Sequence, residues 1–247
     1  MRIHPILAVA AIAAFAAGTA AGCSITGNGP WLNRADLTGA TTTEVRDVDG
    51  FTEISMGGDA DLTVIRGEHV SVEVTADSGI QDHIETAVED STIRIRQAYS
   101  IVGSSPAVKV AITVPNLTSL SLSGSADATV SGIQGDSFDV NTSGSSDVHL
   151  DGDVGNLTVS VSGSGDLTVT GTADSLDASV SGAGTLSGSD LAAAAANVSV
   201  SGSGDVTLHV RDALDARVSG AGDLTYLGDP TVTVETTGAG EIHHSER

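Results

Sequence analysis

Apolar and polar residues alternate along most of the chain with a period of two. The run Leu157–Ser162 alternates Leu or Val with Thr or Ser, Gly163–Gly165 breaks the pattern, and a second alternating run occupies residues 167–170. Period-two alternation rich in Val and Thr predicts strands, and each run is too short for a helix. Because glycine permits tight turns, the pattern predicts two strands and two turns per unit, with the second turn at residues 171–175.

A five-residue phrase punctuates this alternation seven times. It occupies Ser123–Asp127, Ser143–Asp147, Ser162–Asp166, Ser181–Thr185, Ser201–Asp205, Ser219–Asp223 and Thr237–Glu241. A fixed period near 20 residues is typical of a solenoid, in which one supersecondary unit stacks on itself. The sequence therefore predicts an all-β fold, a right-handed parallel β-helix with rungs of about 19 residues. An antiparallel sandwich is the alternative.

The pattern divides the chain into four segments. Residues 1–22 are predicted to be a signal peptide, 23–44 a polar flexible tether, 45–115 an irregular N-terminal β part, and 116–247 the regular repeats. The irregular part is expected either to cap the solenoid or to form a flanking sheet. Within the irregular part, Phe51–Ile65 looks like a degenerate copy of the strand–turn–strand unit.

Two shorter segments depart from the alternation. Ser78–Ile84 is predicted to include one helical turn. The alanine-rich run Leu191–Ala196 interrupts the fourth rung and indicates a bulge or a helical turn.

The leader points to the cell envelope. Ile6–Ala17 is a 12-residue apolar stretch, long enough for a secretory signal and too short to cross a bilayer. Ala20–Gly22 then precede the only cysteine, Cys23. Small residues before a lone cysteine resemble a bacterial lipobox, which predicts lipidation of Cys23 and anchoring on the outer side of a membrane. The alternative is ordinary cleavage after Ala20, which would give a secreted protein with a free thiol.

Composition narrows the classes of function. The chain has a net charge of −22, which disfavours nucleic-acid binding because phosphate contacts need basic patches. Only six residues are aromatic, which fits a thin core of Val, Leu, Ile and Ala. No Ser-His-Asp order, His-x-x-x-His spacing or phosphate-binding loop stands out, so we expect no catalysis. His243 and His244 are expected in a solvated tail.

The most suggestive candidate site is an acidic row. Six acidic residues each follow a glycine turn: Asp127, Asp147, Asp166, Asp205, Asp223 and Glu241. Stacked rungs would place successive carboxylates ~5 Å apart, where they repel one another. One interpretation is a row of Ca²⁺ ions held by carboxylates and turn carbonyls. The other is that each aspartate accepts backbone N–H groups in its own turn. Pairs of carboxylates in such a row would also have the separations used by enzymes that cleave polysaccharides. Stacking produces these separations in any case, so they are not evidence for an enzyme.

Several phrases together resemble a known bacterial family. They are Val48–Ile54, Val108–Leu117, the Ser-Gly-Ser-Gly-Asp repeats, and Tyr226–Pro230. In this order they resemble the head GIN domain family, whose members are labelled as autotransporter adhesins, over about residues 45–243. The resemblance implies a right-handed β-helical fold and an envelope-bound protein, and it brings no catalytic residues.

These observations predict a non-catalytic envelope lipoprotein with an adhesin-like binding or scaffolding role. The expected partners are the membrane, through the lipid on Cys23, and a protein or cell-surface glycan; self-association is also possible. The alternative function is a Ca²⁺-binding structural or sensing module.

Overall fold

Sixteen strands and one short 3₁₀ helix make up the described part of the chain. The computed structural model describes residues 37–98 and 107–246, so the predicted signal peptide, Cys23 and most of the predicted tether lie outside the described residues. The strands before the regular repeats are β1 (Thr41–Val45), β2 (Glu53–Gly58), β3 (Ala60–Arg66), β4 (Ser71–Asp77), β5 (Ile84–Glu89), β6 (Thr92–Gln97) and β7 (Val108–Val114). The remaining strands are β8 (Ser119–Gly124), β9 (Ala128–Gly144), β10 (Val148–Gly163), β11 (Asp166–Gly182), β12 (Thr185–Gly202), β13 (Val206–Gly220), β14 (Leu224–Leu227), β15 (Thr231–Gly238) and β16 (Ile242–Ser245).

The long strands stack in parallel, one repeat apart. Val148 on β10 pairs with Leu167 on β11, and Gly163 pairs with Gly182, so the offset between these two rungs is constant. Parallel backbone ladders also join β9 to β10, β11 to β12 and β12 to β13, with local shifts of register in the half of each rung that follows the Ser-Gly turn. The result is a parallel β-solenoid of about seven turns with rungs of about 19 residues, which confirms the predicted fold class.

Each rung contributes to two faces. We call face A the side formed by the stretches after each Ser-Gly turn, which are β3, β7, β14, β16 and the first halves of β9–β13. Face B is formed by the stretches before that turn, which are β2, β6, β8, β15 and the second halves of β9–β13.

The second predicted turn is a bend inside a continuous strand. Residues 171–173 and 175 keep their ladder partners on β10, and β11 runs unbroken from Asp166 to Gly182. The chain turns this corner at Gly171, whose φ is +114°, a backbone angle that glycine adopts readily. Each regular rung is therefore one bent strand of 15 to 18 residues.

The core consists of columns of small apolar side chains. Along face B, one inward column is fully buried and runs through Leu120, Val140, Val159, Ala178, Val198 and Ala216. Burial on this scale stabilises by about 25 cal/mol per Å² of apolar surface. Because every rung adds the same small residues at the same positions, the core stays thin along the whole stack.

The N-terminal part extends the stack, but not in sequence order. Strands β2 and β3 form a rung whose members pair with β8 and β9, which confirms the predicted degenerate copy. Strands β6 and β7 come later in the chain but lie beyond β2 and β3, because β6 pairs with β2 and β7 with β3. The chain therefore returns to fill an outer position before the regular repeats begin.

The N-terminal end of the solenoid is closed by polar and apolar groups together. Between β4 on one face and β5 on the other, a 3₁₀ helix at Gln81–His83 crosses the end, as predicted for one turn in this segment. Ile80 and Gln81 are buried there, and the Gln81 Nε2 donates to the carbonyls of Thr42 at 2.7 Å and Val74 at 3.0 Å.

Strand β1 is held in the same region. It pairs antiparallel with β4, so the last residues of the predicted tether, from Thr41 onward, belong to the sheet. The Asp77 carboxylate accepts N–H bonds from Thr38 at 3.0 Å, Gly39 at 2.7 Å and Gly79 at 2.8 Å. Strand structure is therefore present within the segment that composition predicts to be a flexible tether.

The alanine-rich run contains no helical turn. Leu191–Ala196 lies inside β12, and the pairing with β11 gains one residue between Ser187 and Asp190. Against β13, β12 has three extra residues between Gly188 and Ala192, whereas the one extra residue opposite Ala193–Ala195 belongs to β13. The interruption is therefore a bulged stretch of β12 around residues 188–192, at the start of the alanine-rich run, and a bulge is one of the two predicted possibilities.

Candidate functional site: an acidic row and a serine face

The predicted acidic row exists as a line of exposed side chains along the solenoid. Asp127, Asp147, Asp166, Asp205, Asp223 and Glu241 all stand at equivalent corners and are exposed. Corresponding corners of neighbouring rungs are one strand spacing apart, ~4.8 Å. The row is interrupted at Thr185, as the sequence indicates.

Four of the six carboxylates in this row bond to the next rung and not to their own turn. The Oδ1 of Asp147 accepts the N–H of Asp166 at 3.2 Å, and the Oδ1 of Asp166 accepts the N–H of Thr185 at 3.2 Å. Further along, Asp205 accepts the N–H of Asp223 at 3.0 Å, and Asp223 accepts the N–H of Glu241 at 2.8 Å. Each bond joins a charged acceptor to a backbone amide that would otherwise face solvent, so the row fastens successive corners together.

The structure brings no compact metal-ligand group together at this row. Within residues 37–98 and 107–246, no three His, Cys, Asp or Glu side chains converge in an arrangement that could hold a metal ion. Binding of Ca²⁺ by the row remains a prediction. Cys23, the predicted lipidation site, lies outside the described residues.

An open acidic groove lies on face A beside the start of the row. It has a volume of about 350 Å³ and is lined by Asp61, Asp127, Asp147, Thr129 and His149, among others. An exposed cation lies beside it, with the Lys109 Nζ 3.7 Å from an Asp61 carboxylate oxygen. An exposed pair of this kind contributes little to stability.

Face B carries a regular hydroxyl surface that we call the serine face. Its first outward column is Ser121, Asn141, Ser160, Ser179 and Ser199; its second is Ser123, Ser143, Ser162, Ser181 and Ser201. The two columns alternate with buried core residues, because successive side chains of a strand point to opposite sides. The arrangement is a flat grid of small polar groups that extends over five rungs.

The two columns differ in the freedom of their hydroxyl groups. In the second column, Ser143 donates to the carbonyl of Leu122 at 3.4 Å, and Ser162 donates to that of Thr142 at 3.3 Å. Within the described part of the chain, no side-chain hydrogen bond involves the first-column serines. Those hydroxyls can both donate to and accept from a ligand.

A shallow hollow marks the N-terminal end of the serine face. It has a volume of about 220 Å³, and its lining includes Ser55, Ser121, Asn141 and Ser160. At the other end the grid gives way to charge, because Arg217 lies 3.6 Å from Asp215 and 3.5 Å from Glu235. The serine face was not among the predicted sites, although the repeated Ser-Val-Ser triplets in the sequence carry its signal.

The C-terminal histidines are exposed to solvent as predicted, but they lie in a strand and not in a tail. Both lie in β16, which pairs with β14. The His244 ring stacks on Tyr226 with centroids 4.9 Å apart, and its Nε2 is 2.8 Å from the carbonyl oxygen of Gly228. The pairing of β16 with β14 could not be predicted from the sequence, because Ile242 is the only apolar residue of β16 and no alternating pattern results.

Comparison with known proteins shows the family of the chain. The sequence profile of the family described as "Putative auto-transporter adhesin, head GIN domain" matches residues 50–230. The chain belongs to this family. The match covers most of the described solenoid, including the serine face and the acidic row up to Asp223. No protein with a curated description matches the chain significantly.

Solved structures share the fold of this head GIN chain. A protein described as a putative adhesin from Bacteroides fragilis is 25% identical and has a TM-score of 0.77, with 86% of this chain and 99% of that one covered. A putative lipid binding protein from Parabacteroides distasonis is 23% identical, with a TM-score of 0.71 and coverage of 86% and 100%. A putative adhesin from Parabacteroides merdae is 21% identical, with a TM-score of 0.69 and coverage of 86% and 99%.

One further observation concerns the membrane. Within the described ranges, no helix combines the length and apolar character needed to cross a bilayer.

Proposed function

We propose that this head GIN protein is a non-catalytic, adhesin-like lipoprotein of the cell envelope. Lipid on Cys23 anchors it to the outer side of the membrane, and the solenoid binds a cell-surface glycan or protein. The leader and the small residues before Cys23 support the anchor. Membership of a family described as adhesins supports a role outside the cell.

The observation that carries the binding role is the serine face. Its first column offers hydroxyls without side-chain partners at the spacing of neighbouring strands, ~4.8 Å. A flat surface of small polar groups has no deep pocket for a small molecule, but it can contact a long polar polymer many times. Each contact is weak, about 0.5–1.5 kcal/mol, and repetition raises the overall affinity.

The chemistry of the described residues favours binding over catalysis. Four polar or charged residues are buried: Asp77, Gln81, Thr142 and Ser146. Asp77 and Gln81 hold the N-terminal end together, and the Ser146 hydroxyl is 3.5 Å from the carbonyl of Gly124 in the preceding rung. These groups serve the fold.

The anchor is tested by fractionating cells that express the wild type or Cys23→Ala. We expect the wild type in the membrane fraction, and we expect the variant to be released because it lacks the acyl chains. Retention of Cys23→Ala in the membrane fraction would disprove lipid anchoring through this residue.

The serine face is tested by substituting two neighbouring first-column residues, Ser179→Arg with Ser199→Arg. The matched control is Ile65→Arg with Ser131→Arg, which changes two outward positions on neighbouring rungs of face A that do not line the acidic groove. Binding is measured with purified protein on a panel of immobilised neutral and acidic polysaccharides and on whole cells. We expect the serine-face pair to weaken binding about tenfold, as expected for the loss of ~1.4 kcal/mol, and the control to leave it unchanged. Equal effects of the two pairs would contradict a binding role for the serine face.

A further inference from the structure

The C-terminal end of the solenoid exposes core positions. The inward column of face B that passes through Val198 and Ala216 ends at Val234 on β15. Ala216 is 0% exposed, whereas Val234 is 51% exposed. The inward column beside it ends at Thr236, which is also exposed although its partner Val218 is buried. Among the described residues, no further rung covers these core positions.

Both final strands also have a free edge. Within residues 37–98 and 107–246, β15 pairs with β13 and with no other strand, and β16 pairs with β14 and with no other strand. The unpaired N–H and C=O groups along such edges are ready to pair with another chain.

The opposite end of the solenoid is different. There the 3₁₀ helix crosses from face A to face B, Ile80 and Ile84 are buried, and Gln81 bonds to strands β1 and β4. This end also has free strand edges, because β1 pairs only with β4 and β5 only with β6 among the described strands. Its core layer, however, is covered by the 3₁₀ helix, so head-to-tail stacking could pair backbone groups but would leave the exposed core positions of the C-terminal end without apolar partners. Contact with a second open end covers those positions on both copies.

We propose that the β15–β16 end is a self-association surface that binds the same end of a second copy of this chain. The contact is isologous: a two-fold axis brings β15 against β15 of the second copy in antiparallel order. With Val234 opposite Val234 of that copy, Val232 lies opposite Thr236 and the inward side chains of both ends meet. On the outer surface Glu235 then lies opposite Thr233, so the two glutamates do not face each other.

A second copy fits this end better than a single donated strand. A single strand could extend only one face, whereas a second copy supplies strands for both faces and closes the core between them. The charge at this edge is partly balanced, since Glu235 lies 3.5 Å from Arg217. Because β15 spans only about 27 Å, the contact is smaller than the ~800 Å² per partner of a standard interface. We therefore expect a weak dimer with a Kd of about 10 μM.

The first test is sedimentation velocity on the full chain carrying Cys23→Ala, from about 1 μM to about 100 μM. This background removes the lipid site, so the result does not depend on the proposed anchor or on any glycan. We expect a monomer–dimer equilibrium that Val234→Lys weakens at least tenfold. The matched control is Ile65→Lys, a β-strand position with similar exposure, 49%, far from this end. It should leave the equilibrium unchanged.

The second test determines the register of β15 against β15 of the second copy, by disulfide formation between cysteines introduced into the Cys23→Ala chain. Val234→Cys should crosslink readily, because opposed residues have Cα atoms about 4.5–5.5 Å apart, within disulfide range. Thr233→Cys alone should not, because in this register its two copies are separated by about 8 Å. A mixture of Thr233→Cys and Glu235→Cys chains should form the crosslinked heterodimer.

Three results would overturn the proposal. The first is a wild-type chain that stays monomeric throughout the concentration range. The second is a dimer that Val234→Lys does not weaken, which would place the contact on another surface. The third is a monomer that binds a synthetic β15 peptide without dimerising, which would indicate that this end accepts a single donated strand.

Discussion

At the scale of single residues, the first glycine of each repeat is required both by its backbone angle and by its close contact with the preceding rung. Gly182 has a φ of +134°, and a Cβ there would lie 2.3 Å from the carbonyl oxygen of Gly163 in the preceding rung. Gly163 meets Gly144 in the same way, at 2.2 Å. The glycine column therefore exists because the backbones of successive corners touch, and a side chain at any corner would separate two rungs.

This geometry predicts a large effect of Gly182→Ala. The unfavourable backbone angle costs about 1–3 kcal/mol, and the clash with Gly163 adds to it. We expect the free energy of unfolding to fall by about 3 kcal/mol, measured by denaturant titration. The control is Gly50→Ala, because Gly50 has an ordinary backbone angle and no atom within 4 Å of a Cβ placed there. Equal stability of the two variants would contradict the close-contact explanation.

At the scale of elements, Asp77 fixes the first strand to the solenoid. The N–H of Thr38 holds the pKa of Asp77 below its ordinary value of 3.8, and the N–H groups of Gly79 and Gly39 act in the same direction. Partial burial opposes this shift without cancelling it. Because the charged carboxylate accepts these bonds, the attachment of β1 depends on its ionisation.

The pH dependence of this attachment follows from the direction of the shift. A carboxyl whose pKa is lower in the folded state contributes stability above its unfolded pKa, about 3.9, and loses it as pH falls through the folded pKa. We expect amide exchange in Thr38–Arg46 to become faster relative to the core strands as pH falls below about 4. In Asp77→Ala it should already be fast at pH 6. The control is Asp82→Ala, an exposed aspartate of the neighbouring 3₁₀ helix. If Asp77→Ala and the wild type exchange alike at pH 6, Asp77 does not hold β1.

The elements differ in how far the sequence could predict them. The regular strands were predictable because each needs the same apolar columns and the same glycine corner. The outer position of β6 and β7 was not predictable from the sequence. Strand β2 pairs in parallel with β6, which is distant from it in the chain, and a period-two pattern does not show which strands pair. The sequence predicted a turn at Gly171, where the structure has a bend inside a strand, because the positive φ of glycine is compatible with either.

In the acidic row, too, the sequence predicted the positions of the residues but not their partners in neighbouring rungs. These positions followed from the repeat, and stacking did align them. The acceptor role was predicted within one turn, but the Asp205 carboxylate reaches the N–H of Asp223 in the next rung. Spacing along the chain gives the neighbours of a residue in its own turn, whereas the partner across rungs depends on the offset of the ladder.

At the scale of the whole molecule, the charge of −22 governs the response to ions. Like charges along a stack repel over distances comparable with the Debye length, which is about 30 Å at 0.01 M salt and about 8 Å at 0.15 M. Added salt should therefore stabilise the fold by general screening. A specific cation site would add stability beyond that screening, because an ion that binds only the folded state raises the free energy of unfolding.

The comparison of Ca²⁺ with Mg²⁺ separates these two effects. The Oδ1 atoms of Asp147, Asp166, Asp205 and Asp223 already accept backbone amides, and a Ca²⁺ ion needs about six to eight oxygens. We therefore expect millimolar Ca²⁺ to raise the Tm no more than Mg²⁺ at the same ionic strength. A further rise of about 4 °C or more with Ca²⁺, reversed by a chelator and absent in Asp205→Asn with Asp223→Asn, would establish the row as a calcium site. That result would make the corner carboxylates ligands as well as fasteners, and would favour the calcium-dependent alternative for this surface.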